Sequence, residues 1–214
     1  MSGSYLALAA AAGRLSEDEL AGWSRCRGWT RADVLLHVLL DAQRALVTFS
    51  LPAAGPPDVD YVSYWEPFKP GQAGAAEHAR FVRLVTASYP SHLDVARQFT
   101  ETATAAARAA EGLPGARMVG TQGHVLAIGD FLATLAVEAT IHHLDLLLPT
   151  DDASGPSQEG LAVVRLTLDG LLRDSVAHSW DDAAYALAAT GRAALTSADQ
   201  VALGPLASRF PLLG

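Results

Sequence analysis

Cysteine is nearly missing from this chain: Cys26 is the only one in 214 residues. An intramolecular disulfide is therefore impossible, and a four-thiolate zinc site is excluded. Positive charge is also scarce. Fifteen Lys and Arg stand against 23 Asp and Glu, for a formal net charge of −8. A surface with that balance repels phosphate backbones and anionic headgroups, so neither nucleic acid nor membrane is an expected partner. No apolar run reaches the roughly 18–20 residues that span a bilayer. The apolar stretch Tyr5–Ala12 lacks a basic leader, and Arg14, Glu17, Asp18 and Glu19 follow it, so it reads as folded structure rather than a signal peptide. The cytoplasm is the expected compartment. Without internal repeats or low-complexity linkers, residues 1–214 are expected to form one domain, with about 180–214 as a small C-terminal elaboration.

Half of the residues are apolar, and alanine, the best intrinsic helix former, dominates them. Tyr5–Arg14 and Ser16–Ser24 read as one helix interrupted near Gly13 or as two short ones, with Ser16 and Glu19 forming a capping-box pattern. Cys26–Thr30 is a turn, and Trp29 in it is a packing anchor between the first helices. Thr30 and Asp33 form a second box, opening a strongly apolar helix over about 31–50. Pro52, Gly55, Pro56 and Pro57 end it. The long segment from there to about Gly74 has an aromatic centre, Val59–Trp65, expected to pack over a site. Further helices are expected over Ala75–Tyr89, Leu93–Glu111 (with Ser91 as cap), Ile128–Leu148 and Gln158–Val176. Ile128–Leu148 is read as amphipathic, and Pro149–Ser157 as a polar loop. Arg117–Thr121 is expected to be a short extended piece. Ala184–Thr190 is also expected to be extended despite its alanines, because Gly191-Arg192 turns the chain. Thr196 and Asp199 would start a last short helix.

The chemistry-bearing stretch is Val137-Glu-Ala-Thr-Ile-His-His-Leu-Asp145. Residues four apart on a helix have Cβ atoms roughly 5–6 Å from each other, so Glu138 and His142 can reach one ion. Their row runs back through Leu135 and Phe131 and points at the core. An ionised glutamate there is costly unless compensated, by a bound cation or by an arginine. His37, embedded in Asp33-Val-Leu-Leu-His-Val-Leu-Leu40, faces the interior or a helix–helix groove. Each feature alone has an ordinary structural explanation: a hydrogen-bonded core histidine, and a glutamate–histidine pair on a solvated face. Together, two imidazoles and a carboxylate make a donor set with open positions, suited to zinc and acceptable to iron or nickel.

His143 points about 100° round the helix from His142 and reads as surface or as a residue behind the ligands, unless the helix is rotated so that it replaces His142. Asp145 is a candidate to orient an imidazole, or else an exposed acid. His78, His92, His124 and His178 have no partner at ligand spacing and are read as surface or capping residues. Cys26 reads as a small buried hydrophobe rather than a reactive thiol.

Several segments resemble the DinB-like superfamily, specifically the mycothiol-dependent maleylpyruvate isomerase N-terminal type found in actinobacteria. They are Cys26-Arg-Gly-Trp-Thr-Arg-Ala-Asp-Val-Leu-Leu-His37, Asp60-Tyr-Val-Ser-Tyr-Trp65, Val137–Asp145, and the tail from Thr190-Gly-Arg192 to Phe210-Pro-Leu-Leu213. The resemblance implies an all-α, up-and-down four-helix bundle with short extended segments in its loops and tail. It places a divalent metal on His37, Glu138 and His142. It also implies mycothiol as thiol cosubstrate of a transferase or isomerase acting on a small electrophile, with Tyr61, Tyr64 and Trp65 walling the pocket. The maleylpyruvate isomerases of this type carry a longer C-terminal domain, whereas the tail here matches an uncharacterised subgroup, so maleylpyruvate itself is not carried over. Arg192 is the one candidate arginine in that tail, although a turn arginine is ordinarily solvated. A metal-dependent hydrolase, or a non-catalytic stress-response or binding module of the same fold, are the alternative readings, and a homodimer is compatible with each.

Overall fold

Serine, threonine and aspartate at turn positions start most helices of this chain. In the computed structural model, which describes residues 1–71, 74–147, 154–176 and 180–214, all three expected capping boxes form. Ser16 and Glu19 open α2 (Glu17–Ala21), Thr30 and Asp33 open α3 (Arg31–Ser50), and Thr196 and Asp199 open α9 (Ser197–Leu203). Each satisfies backbone N–H groups that a helix start leaves unpaired, and losing such a cap typically costs about 1 kcal/mol. Gly13 separates α2 from α1 (Ser2–Ala12). Ser91 caps α5 (His92–Glu111), and α4 (Ala75–Thr86) precedes it.

The core lies among α1, α3, α5 and α6 (Ile128–Leu146). α1 packs against α5 and α6, and α3 packs against the same two, so the four helices close a ring. Leu8, Leu35, Leu39, Phe99, Ala103 and Phe131 fill its centre. The fold is the expected all-α bundle, with α4 laid along α3 and α7 (Gln158–Leu172) along α6. Among the described residues no helix is long and apolar enough to cross a membrane.

The extended piece expected near 117–121 is β1 (Met118–Thr121), and it pairs antiparallel with β2 (His124–Ala127), which was not foreseen. Gln122 and Gly123 both adopt positive φ, +49° and +85°, the backbone a two-residue hairpin requires. Pro52, just past α3, bridges Val119 of β1, so the end of α3 and the start of α6 lie together and the two helices run in opposite directions.

Three expectations need correction. Ala184–Thr190 is not extended: it lies largely in α8 (Asp182–Ala189), where Asp181 accepts from the Ala184 N–H and alanine propensity prevails until Gly191 turns the chain. α6 is not amphipathic along its length. From Thr134 to Leu146 all residues but Glu138 are buried, because α1, α3, α7 and α8 surround it. Its described end is Leu146; Leu148, most of the expected loop over 149–157, and His178 lie outside the described residues. α4 stops at Thr86 and α7 at Leu172, both earlier than periodicity suggests, the latter at Arg173 with φ +52°.

Candidate metal centre

Because α3 and α6 run antiparallel, His37 early in the first meets Glu138 and His142 late in the second. His142 Nε2 lies 3.2 Å from Glu138 Oε2, and His37 Nε2 lies 3.9 Å from the same oxygen. One ligand atom from each of the three residues falls within 4.8 Å of the others. The imidazoles of His37 and His142 meet edge to face, with centroids 4.7 Å apart. Trp29 stacks on His142 at 6.5 Å and meets His37 at 5.3 Å, so the expected packing anchor is also a wall of this cluster.

Behind His142 stands a buried chain of charge. Its Nδ1 meets Asp145 Oδ2 at 2.9 Å, and Arg192 grips both oxygens of Asp145, Nε to Oδ1 at 3.0 Å and Nη2 to Oδ2 at 2.9 Å. Asp145 has no accessible surface, so the reading of it as an exposed acid is wrong. Arg192 is likewise not a solvated turn residue: its guanidinium is turned inward onto Asp145 and donates to the Thr190 carbonyl as well. This arrangement orients the His142 ring with Nε2 facing Glu138, the geometry that metal-binding histidines commonly take from a carboxylate partner.

The charges are strongly perturbed. Burial alone would raise the Glu138 carboxyl, but hydrogen bonds and charge from His142 and His37 overcome it and hold its pKa well below the usual carboxylate range. Burial opposes a charged His142 ring, yet its bonds to Asp145 and Glu138 lift the pKa to about 9. Asp41 is pushed up to about 6, mainly by burial and against the pull of His37. Two imidazoles and a carboxylate converging in this way fit a divalent cation of the zinc, iron or nickel type. Around a tetrahedral zinc, donors at roughly 2 Å stand about 3.3 Å from each other, so separations of up to 4.8 Å would have to close by as much as about 1.5 Å on binding.

Beside Glu138 a small cavity of about 20 Å³ opens, room for about one water molecule. Asp41, Arg44, Thr121, Gln122, Tyr64 and Trp65 are among its lining residues. The last two come from the aromatic segment, which is pinned by a turn at Asp60, whose side chain accepts from the Val62 and Ser63 N–H groups. Gln122 Nε2 donates to Tyr64 Oη at 2.7 Å, tying that segment to the hairpin. Tyr61 is half-buried and does not line the cavity. His143 is buried rather than exposed, and it points away from the cluster, its Nε2 3.1 Å from the Ser154 carbonyl oxygen.

Sequence reasoning missed two neighbours. His78, read as a surface or capping residue, reaches in from α4 and sets its Nε2 3.1 Å from His37 Nδ1. Nothing in local spacing announces a contact between separate helices. Asp41 lies 3.7 Å from His37 Nε2, and here a signal existed, since it follows His37 by four residues on the same helix face. His92 and His124 are surface partners of Glu17 and Asp58.

Comparison with curated proteins and with solved structures finds no match. The family described as the mycothiol maleylpyruvate isomerase N-terminal domain, however, matches residues 5–147. That span takes in most of α1 and all of α2 through α6, and so contains the helices that carry His37, His78, Glu138 and His142. With the greater part of its length matched, the chain belongs to the mycothiol maleylpyruvate isomerase N-terminal domain family.

Proposed function

We propose that His37, Glu138 and His142 hold a divalent cation, and that the chain is a mycothiol-dependent transferase or isomerase acting on a small electrophile. The observation that carries this reading is the convergence of three donor atoms within 4.8 Å at the partly buried contact of α3 and α6. A cation there would supply the charge that keeps a thiol in its nucleophilic thiolate form. The chain's own residues do the rest. Asp145 and Arg192 orient His142, Trp29 shields the imidazoles, and Tyr64 and Trp65 wall the one-water cavity beside Glu138, which would have to widen for a small substrate to meet the sulfur there. Arg44, exposed at that cavity and without an ion pair among the described residues, favours a substrate bearing negative charge.

Elemental analysis of the purified protein tests the first half. His37→Ala and Glu138→Ala should each lose most of the bound metal while far-ultraviolet circular dichroism stays helical. Unchanged metal occupancy in either would remove that residue from the site. Titration of mycothiol into the metal-loaded protein tests the second half, and absence of binding at millimolar thiol would overturn it. Turnover that proceeds without thiol would mark the protein as a hydrolase, and metal binding without turnover as a binding module.

A further inference from the structure

Asp41 Oδ2 is a buried carboxylate oxygen with no hydrogen-bond partner among the described residues. Buried polar atoms are rarely left so, and an unpaired carboxylate oxygen is among the most costly. Its position suggests what would satisfy it. Asp41 follows His37 by one helical turn on α3, and Oδ2 lies 3.7 Å from His37 Nε2, the atom that faces Glu138. It also lines the cavity beside Glu138. Asp41 is not among the three donors that lie within 4.8 Å of one another, but it stands against one of them and shares the cavity wall with Glu138, so a divalent cation drawn between them would neutralise both carboxylates.

We propose that Asp41 is a fourth protein ligand, completing a two-histidine, two-carboxylate site with His37, Glu138 and His142. The inference rests on the metal reading above and extends it. Four protein donors would fill a tetrahedral shell, so a thiol or substrate could enter only at five- or six-coordination. The site therefore favours a metal that accepts that geometry readily, iron or nickel, or a zinc ion that expands its shell.

The test replaces Asp41 by asparagine, which keeps the shape and removes the charge, in the full-length protein loaded with Co²⁺. Affinity is read by chelator competition and coordination number by the visible spectrum. D41N should weaken Co²⁺ binding by more than about 100-fold, because losing a ligand exceeds the roughly 10–100-fold that outer partners cost. The ligand-field bands should shift as well. Affinity within about twofold of the parent would overturn the proposal. Weakened affinity with an unchanged spectrum would also overturn it, since Asp41 would then act by charge from outside the coordination shell. Glu138→Ala serves as reference: if that variant also keeps its metal, the three-residue site itself is wrong, and the two failures are told apart.

Discussion

Replacing Arg192 by alanine should cost both stability and metal affinity. Asp145 is wholly buried and has three polar contacts to side chains, two from Arg192 and one from His142. Deleting the guanidinium leaves that carboxylate with a single imidazole. Breaking a buried pair by removing one partner typically costs about 3–5 kcal/mol. Arg192 keeps 13% of its side chain exposed, so water can fill part of its place and the lower figure applies. The effect on metal follows from orientation. Asp145 would no longer be fixed against His142 Nδ1, and losing such a partner weakens metal binding by about 10–100-fold, equivalent to about 1.4–2.7 kcal/mol.

Urea unfolding of the metal-free protein measures the first effect, and chelator competition the second. Arg192→Lys should fall between parent and alanine variant, because an ammonium cannot bridge both carboxylate oxygens. The pH dependence adds an internal check. Burial raises the Asp145 pKa, but the His142 bond and the Arg192 charge outweigh it and hold it at about 2. A depressed carboxylate pKa contributes stability that is complete above its unfolded value, about pH 4, and is lost as pH falls through about 2. Parent and variant should therefore converge in acid. An alanine variant within about 0.5 kcal/mol of the parent at neutral pH, the range of ordinary surface substitutions, would refute the reasoning.

Three further outcomes are expected. His78→Ala should weaken metal binding by up to about tenfold through loss of the contact at His37 Nδ1, and unchanged affinity would show that His37 is oriented by other means. Cys26 should alkylate slowly at pH 8 and faster toward pH 11, because burial first and Asp145 second push its thiol up to about 11; fast modification at neutral pH would contradict this. Gly160→Ala should destabilise the fold by about 1–3 kcal/mol in urea titration, since the added methyl meets Thr140 Oγ1 and Ser4 Oγ inside contact distance, and a neutral result would mean that α7 shifts freely.

The helix starts were legible because a cap is a local event: Thr30 and Asp33, or Thr196 and Asp199, carry their whole signal within four residues. Glu138 and His142 were legible for the same reason. Burial was harder to read. α6 looks like a one-sided helix when only its own period is considered, and the elements that cover its other faces lie on both sides of it in sequence. The hairpin partner β2 was lost because His124–Ala127 has too few residues to show an alternation, although Gln122-Gly123 marks the turn. His78 and Arg192 depend on tertiary approach alone.

Arg192 also bears on where the site ends. The family match stops at residue 147, yet the guanidinium that holds Asp145 comes from the turn after α8, beyond that limit. The same C-terminal region reaches the covering segment: Lys69 Nζ donates to the Leu212 carbonyl, and the Leu212 N–H donates to Ala189 at the end of α8. One stretch of chain thus braces both the residue behind His142 and the aromatic segment over the cavity. Its packing is apolar, with Leu212 and Leu213 buried and Trp180, Tyr185 and Phe210 in mutual ring contact. Leu212→Ala should therefore do more than cost the roughly 2–5 kcal/mol of a buried leucine truncation. It should loosen the turn at Arg192 and lower metal affinity from a position that touches none of the candidate ligands. If stability falls while metal affinity stays at the parent value, the region beyond residue 147 supports the fold alone and the site is complete within the matched span.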